Sequence, residues 1–114
     1  MMKVFGCALA LVCASTSALA QADSVDATKA MALARGNACM GCHAVSSQRV
    51  GPSFQAVAGK YKGDTTALAK LTVKVQKGGA GVWGMIPMPS HPGLTTADAQ
   101  TIVTWILAGA PPAN

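Results

Sequence analysis

Two cysteines separated by two residues and followed at once by a histidine, Cys39-Met40-Gly41-Cys42-His43, form the most chemically loaded stretch of the chain. Three chemistries use such a pair: a redox dithiol, half of a zinc site, or thioether attachment of a haem. A dithiol of the thioredoxin kind needs a βαβ pattern around it, and none is visible. A zinc site needs a second Cys/His pair, and only His91 remains to offer one. The C-x-x-C-H order is the signature of c-type haem attachment. Two thiols on one helical turn can reach the two vinyl groups of a porphyrin, and His43 is then held beneath the ring with a nitrogen aimed at the iron.

An iron held by one histidine has a sixth position, and its occupant decides what the protein does. Met31, Met40, Met85, Met88 and His91 are the candidates. Met88 stands between Pro87 and Pro89. Two fixed φ angles lower the entropy lost when the loop orders, which suits a thioether that must stay in place. A plain gap-filling role is the alternative for Met88. Met85 competes less well, with Gly84 before it and only Pro87 ahead. His91 could ligate after a rearrangement, but its default is an exposed loop position.

The 114 residues make room for one domain. Met1-Met2-Lys3, an apolar run over 4–14 and Ala18-Leu19-Ala20 together read as a secretory signal peptide over 1–20. Its apolar run is about half of what a membrane span requires. A lipid anchor at Cys7 or Cys13 is the lesser alternative. Cleavage would remove Cys7 and Cys13, leaving only the motif pair and no disulfide. The remaining 94 residues have few aromatics and a thin core, to which a buried porphyrin would add apolar surface. Eight Lys and Arg against Asp23, Asp26, Asp64 and Asp98 give that part a net charge of +4. Lys60, Lys62, Lys70, Lys74 and Lys77 crowd into one stretch, either a solvated helix face or a surface steering an acidic partner. Nucleic acid is not an expected partner, since basic residues are not interleaved with aromatics and the chain carries an export signal.

A flexible leader over 21–26 precedes the domain at 27–114. Ala, Met and Leu over 27–37 predict a helix running straight into the haem motif. Gly51-Pro52 marks a loop, and 54–60 a short helix. Asp64 is placed to cap a third helix ending near Lys77 at Gly78-Gly79. The stretch 78–94 is too rich in Gly and Pro for helix or strand, and a loop this long in a small domain is functional. Thr95 or Thr96 caps a last helix to about 108, with Ala99, Ile102, Ile106 and Gly109 facing inward.

Over 39–108 the chain resembles the small bacterial class I cytochromes c of the c-551/c-552 type. The resemblance rests on Cys39-x-x-Cys42-His43, Val50-Gly51-Pro52, Gly81-Val82-Trp83-Gly84 and Ile86-Pro87-Met88-Pro89. It implies an all-α fold of about four helices wrapped around one covalently bound haem c. His43 and Met88 would be the axial ligands, and the Pro52 carbonyl would orient the His43 ring. Trp83 would donate its indole N–H to a haem propionate, and Lys74 stands where the family often has an arginine near a propionate. The family commonly has an asparagine at the position of His91, bonded to the methionine sulfur. The first helix lacks the family's aromatic, so Met31 and Leu33 must fill that space. The expected function is a periplasmic, monomeric electron carrier that docks transiently on respiratory or denitrification-type redox proteins, and not an enzyme. A haem enzyme or gas sensor with a labile sixth ligand is the alternative.

Overall fold

The computed structural model describes residues 25–113; the signal-peptide segment, with Cys7 and Cys13, and most of the leader lie outside them. Four helices follow in order: α1 (Ala27–Gly36), α2 (Phe54–Lys60), α3 (Ala67–Lys77) and α4 (Thr96–Leu107), with a single 3-10 turn at Cys39–Gly41 after α1. Among the described residues the only β pairing is an isolated bridge between Gly79 and Met88.

Local chemistry sets each boundary. Asp26, the last residue of the expected leader, accepts the Lys29 N–H at 2.8 Å and caps α1. α1 does not run straight into the haem motif as its composition suggests. The backbone N–H and side-chain amide of Asn37 both close back on the Leu33 carbonyl, at 3.0 and 2.8 Å, and Ala38 turns left-handed at φ 59°. The chain therefore changes direction one residue before Cys39. Ser53 caps α2 through the Ala56 N–H and Thr95 caps α4 through the Asp98 N–H. Asp64 does not cap α3 but lies two residues before the cap position, Thr66. Its carboxylate takes the N–H and hydroxyl of Thr66 and pairs with Lys70 at 3.1 Å, and these bonds hold it down to a pKa of about 2.

α4 is the central element and packs on α1, α2 and α3. Ala99, Ile102 and Ile106 are buried along it as their spacing requires. Trp105, which that spacing did not single out, is fully buried and donates its indole N–H to the Pro111 carbonyl at 2.9 Å. Met31 and Leu33 of α1 are partly buried and pack against this core.

Candidate haem-binding site

The histidine of the motif is held from three sides. Its Nδ1–H donates to the Pro52 carbonyl at 2.7 Å. Because a carbonyl can only accept, the proton sits on Nδ1 and Nε2 keeps a lone pair for a metal. The ring stacks on Phe54, centroids 5.4 Å apart and planes at 23°. Phe54 in turn meets Trp105 edge-on at 5.4 Å, so an aromatic column runs from the last turn of α4 to His43. Gly51 closes the third side: a Cβ there would run into the imidazole. The Gly51 N–H binds the Cys42 carbonyl at 2.8 Å, and the Phe54 and Gln55 N–H groups bind those of Ala44 and Val45 at 2.9 and 3.0 Å. The start of α2 is thus docked on the loop that carries His43, which also satisfies donors a helix N-terminus leaves over.

Cys39 and Cys42 are both free and half-buried. Burial pushes the Cys39 thiol upward, and a backbone hydrogen bond draws it part of the way back. It is a neutral thiol at physiological pH, poorly suited to the thiolate chemistry of a redox dithiol. Among the described residues no three His, Cys, Asp or Glu side chains cluster as a metal site would require, so the zinc reading finds no partners.

The methionine loop is equally constrained. Gly79 and Met88 exchange both backbone bonds, N–H to carbonyl at 3.0 and 2.8 Å, which closes the loop at its neck. Gly78 ends α3 at φ 71°, and a Cβ on it would collide with the Met88 carbonyl. Met88 is half-buried against the core, whereas Met85 is 89% exposed. Lys74 reaches the same neck, since a Cβ on Gly79 would come within 2.8 Å of its Nζ. Trp83 is half exposed with the Lys60 ammonium 5.5 Å from its ring centroid.

His91 departs from its expected exposed position. It is half-buried, with Nδ1–H donating to the Val75 carbonyl at 3.0 Å and its backbone N–H to Gln76 at 2.9 Å. The loop passes close enough to the end of α3 for unpaired helix carbonyls to capture both donors.

These residues fit a covalently bound haem. Two unpaired thiols lie beside a histidine whose metal-binding nitrogen is kept free, and the apolar loop residues Val50, Val82 and Ile86 stand outside the helical core. Phe54, Trp105 and the clearances at Gly51 and Gly78 were not picked out from the sequence. Their signals, an aromatic after Gly-Pro and a Gly at a helix end, are visible there only as loop and boundary marks.

A four-helix chain with this motif on the loop after its first helix has the class I cytochrome c fold. The cytochrome c family model matches residues 27–110. Cytochrome c-551 of Allochromatium vinosum is 44% identical over 77 residues, which make up 68% of this chain and 82% of that one. Cytochrome c-552 of Hydrogenobacter thermophilus is 43% identical over 76 residues, 67% of this chain and 76% of that one. The crystal structure of Nitrosomonas europaea cytochrome c552 superposes with a TM-score of 0.67 at 40% identity, covering 68% of this chain and 96% of the other. The class 1 cytochrome MtoD of Sideroxydans lithotrophicus ES-1 gives 0.68 at 32% identity, covering 77% and 100%. The chain belongs to the cytochrome c family, electron carriers that bind one covalently attached haem c through a C-x-x-C-H motif.

Proposed function

We propose that the chain is an exported, periplasmic one-electron carrier and not an enzyme, with haem thioethers at Cys39 and Cys42 and the iron held by His43 and Met88. A haem so bound supplies one-electron oxidation and reduction with little change in coordination. The observation that carries this reading is the pair of rigid mounts: an imidazole locked by Pro52, Phe54 and Gly51, and a methionine between two prolines whose main chain is held by the Gly79 bridge. Rigid ligands keep reorganisation small, and a methionine sulfur in the sixth position leaves no ready site for substrate. Apolar loop side chains exclude water and so disfavour the charge of the ferric state. Trp83 and Lys74 would meet the propionates in this reading. Among the described residues no helix is long and apolar enough to cross a membrane. Export rests on the signal-like segment at 1–20, and the chain acts as a monomer that meets its redox partners briefly.

Carbon monoxide tests the closed sixth position. The spectrum of the reduced protein is expected to stay unchanged under the gas, and binding within seconds would make the protein a catalyst or sensor.

The lysines give a second test. Lys60, Lys62, Lys70 and Lys77 are exposed, while Lys70 is paired with Asp64. Steering by the others predicts that electron transfer to an acidic partner slows about tenfold between roughly 0.01 and 1 M salt. A rate indifferent to salt would reduce these lysines to a solvated surface.

A further inference from the structure

The last turn of a helix leaves carbonyls without partners inside the helix. At the end of α3 three of them are taken in succession. The Lys74 carbonyl receives the Gly78 N–H at 2.7 Å, the Gln76 carbonyl the His91 N–H at 2.9 Å, and the Val75 carbonyl the His91 Nδ1–H at 3.0 Å. One residue of the methionine loop therefore supplies two of the three closures. Met88 is itself the partner of Gly79 in the bridge, three residues before this double contact, with Pro89 stiffening the short span from Met88 to His91. Beyond His91 the chain is held again, since the Gln76 side-chain amide donates to the Leu94 carbonyl at 3.1 Å.

We infer that His91 is the positioning residue for Met88: its Nδ1–H latches the methionine loop onto the last turn of α3 through the Val75 carbonyl. The inference rests on Met88 being the sixth ligand. With the ring bond gone, the Gly79 bridge and the His91 backbone bond still hold the main chain, but the span from Met88 to His91 loses its side-chain contact with α3, so the thioether leaves the iron more often. The donor nitrogen is spent on a carbonyl, so Nδ1 does not hydrogen-bond the sulfur; His91 acts by fixing where the sulfur sits.

Asparagine and leucine separate the roles of the ring. The amide nitrogen of asparagine is as many bonds from Cβ as Nδ1 is, so His91→Asn can keep the contact with Val75, while His91→Leu keeps bulk and removes the donor. The readout is the rate at which added imidazole replaces the methionine on the oxidised haem protein, with the sulfur-to-iron near-infrared band followed in parallel. His91→Leu is expected to release about five- to tenfold faster, the factor one ordinary hydrogen bond is worth, and His91→Asn within about twofold of the parent. Amide exchange at Gly79 and Met88 should accelerate in the leucine variant alone, a readout independent of the iron. If the leucine variant does not fold, His91→Ala carries the same comparison. Leucine releasing no faster than the parent overturns the latch. Asparagine releasing as fast as leucine overturns the assignment to Nδ1. A parent protein without the near-infrared band overturns the ligand reading itself, and the latch falls with it.

Discussion

Met88→Ala is expected to abolish the near-infrared band of the oxidised protein and to lower the reduction potential by on the order of 0.1–0.3 V, within the roughly 0.8 V that axial ligands command. Methionine sulfur raises the potential relative to other sixth ligands, and its removal lets water or an added ligand reach the iron. The reduced variant should then bind carbon monoxide. The helices should remain, because Met88 sits on the loop that follows α3 and is only half-buried, so truncation costs about 1–2 kcal/mol, below the range for a fully buried methionine. Absorption, potentiometry and far-UV circular dichroism separate loss of the ligand from loss of the fold. An unchanged spectrum would give the sixth position to another side chain. Met85, 89% exposed, has no packing to hold it there, which would leave His91, whose Nε2 stays free while Nδ1 donates to Val75.

How much of this was legible in the sequence depends on the range of the interaction. Caps, breakers and periodicity are local, and they placed all four helices to within a residue or so at most ends, with Ala99, Ile102 and Ile106 inward. The attachment motif is also local, a spacing along one turn. Where the reading failed, a specific side-chain contact decided, near in sequence at Asn37 and distant at His91. α1 was expected to continue into the motif, but the Asn37 side chain folds back on Leu33 and Ala38 reverses the chain. His91 was expected in solvent, but the loop returns to α3, sixteen residues away in sequence, and its ring finds Val75. Gly78 looked like a helix stop, which it is; that it also makes room for the Met88 carbonyl follows only from the bridge at Gly79. The long-range aromatic column has no periodic signature, since Phe54 and Trp105 lie on different helices.

That column is where the second large effect is expected. Trp105→Ala should destabilise the haem protein by about 3–5 kcal/mol, the usual cost of emptying a large buried aromatic site. For a domain of this size that corresponds to a fall in Tm of roughly 15–30 °C. Three losses coincide: the packing of the largest fully buried side chain, its edge contact with Phe54, and the bond its indole N–H donates to Pro111 after α4. Trp105→Phe restores much of the first two and not the third, so it should recover more than half of the loss. The effect should also travel. Phe54 stacks on His43, and an emptied site behind it lets both rings shift against the fixed Pro52 carbonyl. Thermal unfolding measures the stability, and the proton spectrum of the ligating imidazole reports its orientation. A loss under about 1 kcal/mol would mean that the covalent haem, and not the column ending on Trp105, holds the four helices together.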